Sequence, residues 1–269
     1  MKIALVIFIT LALAGCALLS LHMGVIPVPW RALLTDWQAG REHYYVLMEY
    51  RLPRLLLALF VGAALAVAGG MAGLILLKML AKTHQPMKLA LTGVALSACW
   101  ASLTDYLMLS RPQDVNNALL WLTGSLWGRD WSFVKIAIPL MILFLPLSLS
   151  FCRDLDLLAL GDARATTLGV SVPHTRFWAL LLAVAMTSTG VAACGPISFI
   201  GLVVPHMMRS ITGGRHRRLL PVSALTGALL LVVADLLARI IHPPLELPVG
   251  VLTAIIGAPW FVWLLVRMR

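Results

Sequence analysis

Eight long apolar runs, separated by short charged segments, dominate the pattern of hydrophobic and polar positions along the chain. Most of these runs approach the roughly 20 residues that an α-helix needs to cross a bilayer. Because the runs are continuous rather than alternating, the pattern predicts helices and not strands. The predicted spans cover residues 3–23, 55–77, 89–109, 133–152, 177–194, 196–211, 219–241 and 249–266.

The segments between the spans predict a single all-α integral membrane domain over residues 1–269, with about eight transmembrane helices and short interfacial helices. Residues 114–128 are too few to cross and carry Trp121 and Trp127, which favour the membrane interface. Residues 153–176 form the longest cytoplasmic loop and place apolar residues at helical spacing. We expect a short helix there, lying on the membrane face and open to a partner.

Composition supports a lipid environment. Of the 269 residues, 61% are hydrophobic and 12% are charged, and the mean hydropathy is +0.94. A soluble domain carries about 25% charged residues, so this chain has too few charges to cover a surface in water. The net charge is +10. The basic residues lie in short loops rather than on one polar face, which indicates membrane topology and contact with anionic headgroups, and excludes nucleic acid as the expected partner.

The distribution of basic residues predicts the orientation. With the N-terminus inside, 13 of the 21 Lys and Arg residues lie on the cytoplasmic side, as the positive-inside rule requires. Four arginines of the first external segment, Arg31, Arg41, Arg51 and Arg54, depart from that rule. We expect these exceptions to have another role.

The sequence holds little sign of catalytic or metal chemistry. No HExxH, GxSxG or Walker A pattern occurs, and the carboxylates lie in loops or near span ends. Asp105 and Asp235 come nearest to mid-membrane, and an interfacial position or a local hydrogen bond is the favoured interpretation of both. His206 is interpreted as a core histidine rather than a ligand, because no second ligand lies one turn away. A chain that moves a solute without a nucleotide site of its own needs an outside source of energy.

Four sequence blocks point to a family. They are RLPRLLLALFVGAALAVAG at residues 51–69, LALGDARATTLGV at 158–170, GPISFIGLVVPHMMR at 195–209, and ADLLAR at 234–239 followed by ELPVGVLTAIIGAPWFVWLL at 246–265. Together they resemble the iron-siderophore, haem and vitamin B12 permeases of ABC importers over most of the chain beyond Arg51. The resemblance implies an ATP-driven importer subunit that moves an iron chelate, such as ferric dicitrate or another siderophore, from periplasm to cytoplasm.

The chain departs from that family at one place. Family members normally have ten spans, and after the block that ends at Gly69 they continue through a cytoplasmic loop and a further span. Here Gly69 runs directly into GMAGLILLKMLAK, which is similar to the second half of the family's fourth span. We therefore expect an internal deletion after Gly69. The two fused halves run in the same direction, so the joined 23-residue apolar stretch at 55–77 is predicted to cross the bilayer as one helix.

The resemblance also implies site residues. Arg51, Arg54 and Arg239 match arginines that dock a periplasmic substrate-binding protein, and paired carboxylate–guanidinium contacts suit such docking. Anchoring of helix ends at headgroups is the alternative. A coupling segment would fit a cleft of the ATP-binding subunit, through Leu158, Leu160, Gly161, Ala165, Leu168 and Gly169. The pathway or its gate would include Thr253, Gly257 and Pro259, although close helix packing explains Gly257 equally well.

Taken together, these implications predict a multi-pass protein of the bacterial inner membrane that has no catalytic site, no metal and no bound cofactor. Its expected partners are an ATP-binding subunit that uses ATP, a periplasmic binding protein, a second permease subunit, identical or not, and the lipid membrane. Three alternatives stay open. They are a secondary transporter, which would need a mid-membrane carboxylate, a membrane enzyme or structural subunit, and a permease that the deletion has made unable to transport.

Overall fold

The computed structural model describes residues 2–24, 26–38, 40–82, 86–111, 113, 115–241 and 246–267. Their side chains are described as well, except those of residues 2, 77, 78, 80–82, 86–90, 93, 117, 264, 265 and 267. Within this part of the chain the fold is all-α and holds no strand. Its elements are α1 Lys2–His22, α2 Ala32–Thr35, a π-helical turn Val46–Arg51, α3 Leu52–Lys82, α4 Pro86–Ser110, α5 Val115–Leu122, α6 Trp131–Ser150, α7 Cys152–Ala159, α8 Asp162–Thr167, α9 Val172–Cys194, α10 Ile200–Thr212, α11 His216–Ile240 and α12 Val249–Arg267.

Five helices in the described part of the chain are long and apolar enough to cross a membrane: α1, α3, α6, α9 and α11. The span of α3 includes the π-helical turn that leads into it. Two more, α4 and α12, are apolar over the shorter stretches Val94–Ser110 and Val249–Trp263. The 13 residues of α10 extend about 20 Å, which is less than the ~30 Å hydrocarbon core. The all-α membrane fold is therefore confirmed, whereas the count of eight crossings stays a prediction.

The fused helix α3 lies at the centre of the bundle and runs unbroken for 31 residues through the join at Gly69. Glycines let its neighbours approach closely. A Cβ on Gly62 would lie 2.4 Å from the carbonyl oxygen of Gly227 in α11. A Cβ on Gly69 would lie 1.7 Å from the carbonyl oxygen of Gly201 in α10. Backbone-to-backbone packing at small residues thus holds α10 and α11 against α3.

The directions of three helices follow from their contacts. The end of α1 meets the end of α11, where Arg239 Nη1 donates a hydrogen bond to the carbonyl of Ser20, and the start of α3 lies there too, where Arg54 contacts Asp235. Helices α1 and α11 are therefore parallel, and α3 is antiparallel to both. Following the predicted orientation, we call this the outer end of the bundle, and the end where α1 and α11 begin the inner end.

Helix α4 follows α3 in sequence and lies at the edge of the bundle. Among its described side chains, from Leu91 to Ser110, none is buried, and Leu91, Trp100 and Leu109 are each more than half exposed. No described residue of α4 belongs to the buried core.

Candidate functional site

Three arginines predicted to dock a binding protein come together at the outer end. Arg51, Arg54 and Arg239 are only 6%, 8% and 7% exposed. We call these residues, together with Asp235 and Glu246, the outer ionic cluster. Its members come from the π-turn, α3, α11 and the segment before α12, which are far apart in sequence.

Arg54 connects two carboxylates. Its Nε donates to Asp235 Oδ1 at 2.7 Å, and its Nη1 donates to Glu246 Oε2 at 2.6 Å. The Asp235 side chain is 1% exposed and that of Glu246 is 19% exposed. Two of the five guanidinium donors of Arg54 are engaged in this way. The local hydrogen bond predicted for Asp235 is present.

The other two arginines bind the end of α1. Arg239 Nη2 donates to Asp235 Oδ2 and to the hydroxyl of Ser20. Arg51 donates to the carbonyls of Leu21, His22 and Ile26, and the bond to His22 measures 3.0 Å. Carbonyls at a helix end have no partner within the helix. Arg51 therefore caps α1 and fixes it beside α3 and α11.

The cluster holds three guanidinium groups and two carboxylates in a region of low dielectric, and Arg51 contacts backbone carbonyls rather than a carboxylate. Paired, hydrogen-bonded charges are tolerated there, whereas removing one partner leaves an uncompensated charge and is strongly destabilising. Burial and hydrogen bonding hold Arg51, Arg54 and Arg239 at the outer end, whereas the exposed Arg31 and Arg41 lie outside the cluster. Docking of a binding protein by these arginines stays a prediction, and it would require partner carboxylates to reach donors that now face Asp235 and Glu246.

At the opposite end, the predicted coupling segment forms two short helices, α7 and α8, rather than one. Leu158 and Ala165 are buried, at 2% and 0% exposed, and pack inward against the bundle. Leu160 and Leu168 are 54% and 53% exposed and point outward. The predicted coupling residues thus divide into an inward pair that attaches the segment and an outward pair that is free to contact a partner.

Gly161 and Gly169 form the turns that shape this segment. Their φ angles are +107° and +86°, in the region that favours glycine. A Cβ at Gly161 would meet nothing within 4 Å, so its backbone conformation and not crowding requires glycine. The positive φ angle of Gly161 bends the chain between α7 and α8.

Polar contacts attach the coupling segment to the inner end of the bundle. Asp156 Oδ1 accepts a hydrogen bond from the backbone N–H of His216, at the start of α11. The same oxygen lies 2.7 Å from Nδ1 of His216. Arg176 Nη2 in α9 donates to Asp162 Oδ1 at 2.8 Å. These contacts join α7 and α8 to two long helices. The coupling segment is therefore attached to both α9 and α11.

The predicted gate residues lie along α12. Thr253 is 3% exposed and its hydroxyl donates to the carbonyl of Gly250 at 3.0 Å. A Cβ on Gly257 would lie 2.3 Å from Cβ of Phe199, so the close-packing interpretation of Gly257 holds. Phe199 has a φ of +68° and precedes α10, while Pro259 is exposed. The structure thus separates Thr253 and Gly257, which pack inward, from Pro259.

Several residues at these sites were not singled out from the sequence. Glu246, Ser20 and Asp156 are isolated polar residues beside apolar runs, and only the folded chain brings them to their partners. The interpretation of His206 as a core residue is wrong. Its side chain is exposed and makes an edge-to-face contact with Trp260, with ring centroids 5.9 Å apart.

Known proteins share this chain's sequence over most or all of its length. An Fe(3+) dicitrate transport system permease protein of Escherichia coli is 84% identical over 318 residues, covering 100% of each chain. An Fe(3+)-citrate import system permease protein of Bacillus subtilis is 36% identical, covering 97% of this chain and 94% of its own. A hemin transport system permease protein of Yersinia pestis is 34% identical, covering 97% and 95%.

A solved structure has the same fold. An inward-facing metal-chelate type ABC transporter matches with a TM-score of 0.80 at 26% identity, covering 97% of this chain and 98% of its own. The similarity spans nearly the whole of both chains. The apolar helices and these relatives together identify a multi-pass membrane protein with the fold of an ABC permease.

The alignments also locate a missing segment. The 318 aligned positions of the Escherichia coli relative exceed the 269 residues of this chain by 49. Identity at 84% of 318 positions corresponds to about 267 identical residues, which is nearly every residue present. The family sequence model matches this chain in two stretches, residues 11–72 and 69–267, which meet at the predicted join. Through these matched stretches, which cover almost all of its residues, the chain belongs to the FecCD transport family.

Proposed function

We propose that this chain is a permease subunit of an ATP-driven importer that carries ferric dicitrate from the periplasm to the cytoplasm across the bacterial inner membrane. The observation that carries the proposal is the full-length identity of 84% to a permease of that transport system. Relatives whose names include hydroxamate, hemin and cobalamin import extend the same type of function to other chelates. In this proposal the chain catalyses no reaction and a partner subunit hydrolyses ATP.

Uptake of radiolabelled ferric citrate tests the proposal. Cells that lack their own permease would receive either this chain or a version in which the 49-position segment is restored from the relative. Equal amounts of each protein in the membrane, measured by immunoblot, make the two rates comparable. Uptake that requires ATP in the restored version supports the importer. Uptake driven by an ion gradient with ATP absent would contradict it.

A second candidate is a permease that the deletion has made unable to transport. The exposure of α4 and the 49 missing positions favour it. Packing of membrane helices depends on close contact between small residues, and a missing helix removes such contacts. The uptake experiment separates the two candidates, because this chain would show no uptake while the restored version transports.

The coupling segment is the proposed contact with the ATP-binding subunit. The outward positions of Leu160 and Leu168 support this role. The polar contacts that attach α7 and α8 to α11 and α9 support it as well. Replacing Leu160 by Asp should abolish co-purification of the ATPase, because a charge would replace an apolar contact. Ser171→Asp adds the same charge at an exposed position before α9 and serves as the control. Full retention of the ATPase by the Leu160 variant would contradict the assignment.

The outer ionic cluster is the proposed docking point for the binding protein. Arg54 is the member that faces a partly exposed carboxylate, Glu246. If docking carboxylates compete with Glu246 for Arg54, Glu246→Gln should tighten the complex. The same change should leave affinity unaltered if Arg54 only holds the fold together. Affinity of the isolated binding protein for the permease in nanodiscs, measured at low and high salt, distinguishes these outcomes.

The pathway would lie between this chain and a second permease subunit, with Thr253, Gly257 and Pro259 near its gate. The exposure of Pro259, together with exposed apolar residues such as Ile255 and Val262 on α12, supports a contact surface on that helix. Cross-linking of a cysteine placed at residue 255 to a second permease tests this surface. A cysteine at residue 11 on α1 provides the comparison, since α1 is not part of the proposed contact.

A further inference from the structure

An apolar cleft of about 330 Å³ lies at the inner end, between the beginnings of α1 and α11. Ile3 and Ile7 line it from α1, Ile211 lines it from the end of α10, and Arg217 and Arg218 border it from α11. Ile3 and Ile7 are 78% and 53% exposed, so the cleft opens outward from the bundle, where lipid surrounds the protein. It is distant from the outer ionic cluster and separate from the outward leucines of the coupling segment.

The two arginines at the cleft carry uncompensated charge. Both are exposed, and neither has an ion-pair partner among the residues that the structure describes. The nearby carboxylate Asp156 already contacts His216, the residue before Arg217. Arg209 and Arg215 add further positive charge at the same end. A phosphate group at this position would find guanidinium donors that match its geometry.

Charge and apolar surface are arranged in a fixed order. Arg217 and Arg218 precede Pro221 and Val222, which also line the cleft, by one helical turn or about 6 Å. A ligand that fills the site must therefore be anionic at the inner end and apolar deeper in the membrane. Inorganic phosphate would leave the apolar walls empty, whereas a phospholipid satisfies both parts.

We propose that this cleft binds one anionic phospholipid of the cytoplasmic leaflet, with its phosphate on Arg217 and Arg218 and an acyl chain between α1 and α11. Basic pockets between membrane helices on the cytoplasmic side suit anionic headgroups. The bound lipid would join the first helix to α11 at the inner end, as Arg239 joins them at the outer end. This site goes beyond the proposed transport activity and does not depend on it.

Lipid binding to the purified full-length chain tests the site. The chain would be placed in nanodiscs of phosphatidylcholine that contain a minor fraction of phosphatidylglycerol, and retained phosphatidylglycerol would be counted by native mass spectrometry. Each arginine near a membrane surface contributes about 1 kcal/mol to anionic lipid binding, or about fivefold in affinity. The R217Q/R218Q double variant should therefore lose about 25-fold in affinity for phosphatidylglycerol.

A control variant, R153Q/R164Q, removes the same charge from exposed positions on α7 and α8. Its affinity should stay within about twofold, because attraction to the surface as a whole is screened over a short distance. An equal loss in both double variants would overturn the site and indicate diffuse attraction. Binding of phosphatidylglycerol no tighter than phosphatidylcholine in the unaltered chain would also overturn it.

The acyl-chain half of the proposal has its own test. Ile7→Trp fills the cleft and leaves both arginines in place, so retained phosphatidylglycerol should fall at least fivefold. Leu11→Trp lies one turn along α1, outside the cleft and 67% exposed, and should have no effect. Unchanged binding by the Ile7 variant, or full displacement of the lipid by inorganic phosphate, would overturn the proposal. Matching thermal unfolding of each pair shows that the comparison is between folded proteins.

Discussion

Helices α3 and α4 follow one another in the chain and are both apolar, yet their surroundings are opposite. In the apolar stretch of α3, 72% of the residues are buried. No described side chain of α4 is buried. Both helices carry small residues at four-residue spacing, which on α4 include Ser97 and Ala101. Gly62 and Gly69 of α3 face Gly227 and Gly201, whereas Ser97 and Ala101 of α4 are exposed. Small residues permit close packing, and only a partner helix makes it occur.

We expect the missing segment to account for this difference. The 49 absent positions fall at the join inside α3, the helix that precedes α4 in the chain. Helix α3 is continuous through the join, and its Gly62 and Gly69 contact α11 and α10. We expect the absent segment to cover part of α4 where it is present.

The largest expected effect on stability comes from replacing a buried carboxylate, Asp235, which is compared with the exposed carboxylate Asp105 on α4. Asp235→Ala should lower the free energy of unfolding by about 3–5 kcal/mol, because Arg54 and Arg239 would stay buried with a partner removed. Asp105→Ala on exposed α4 should change it by less than about 0.5 kcal/mol. Unfolding in detergent micelles provides the measurement. Similar values for the two variants would break the comparison.

Cysteine labelling tests exposure directly. Cys99 on α4 is exposed and Cys194 at the end of α9 is buried. In two variants that each keep one of these cysteines, a maleimide should react with Cys99 on the order of a hundredfold faster, since Cys194 reacts only after local opening. In the version with the segment restored, the rate at Cys99 should fall. An unchanged rate there would mean that the segment does not cover α4.

Two glycines on α3 should respond to alanine with opposite signs. Gly69→Ala should destabilise the fold by about 1–3 kcal/mol, because the new Cβ would meet the backbone of Gly201. At Gly73 a Cβ meets nothing within 4 Å, so Gly73→Ala should stabilise by about 0.5–1 kcal/mol through helix propensity. Thermal unfolding in detergent measures both. A stable Gly69 variant would contradict the close approach of α3 and α10.

The smallest effect is expected on α4 itself. Ser97→Leu should alter the stability of this chain by less than about 0.5 kcal/mol, since Ser97 is exposed. In the restored version the same change should cost about 1–3 kcal/mol by overpacking a helix interface. Parallel unfolding experiments on the two backgrounds give the difference. Equal effects in both would show that the restored segment packs elsewhere.

Much of the fold followed from local pattern. Length and apolarity alone predicted α1, α3, α6, α9 and α11, because an apolar stretch in lipid must satisfy its backbone hydrogen bonds within a helix. The join after Gly69 and its continuous helix were predicted correctly too. The prediction of a single coupling helix was wrong, because the segment forms α7 and α8, separated by the turn at Gly161. The sequence alone does not show whether a glycine bends a helix or ends it.

The site was predictable in identity but not in arrangement. Arg51, Arg54 and Arg239 stood out because charges are rare in such a chain and these lie on the unexpected side of the membrane. Of their partners, only Asp235 stood out. Ser20 and Glu246 are ordinary residues in sequence, and Asp235 gave no sign that it would receive donors from two arginines.

The sequence by itself determined that this chain is helical, lies in a membrane and lacks a segment, because each of these properties depends on residues close together along the chain. Only the tertiary structure decided which helix is central, which is exposed and which groups the arginines contact. Those properties depend on contacts between residues as far apart as Ser20 and Arg239. Apolar side chains have a similar free energy in contact with lipid tails or with other apolar side chains. Hydrophobicity therefore places a helix in the bilayer, and shape and charge determine which helices it packs against.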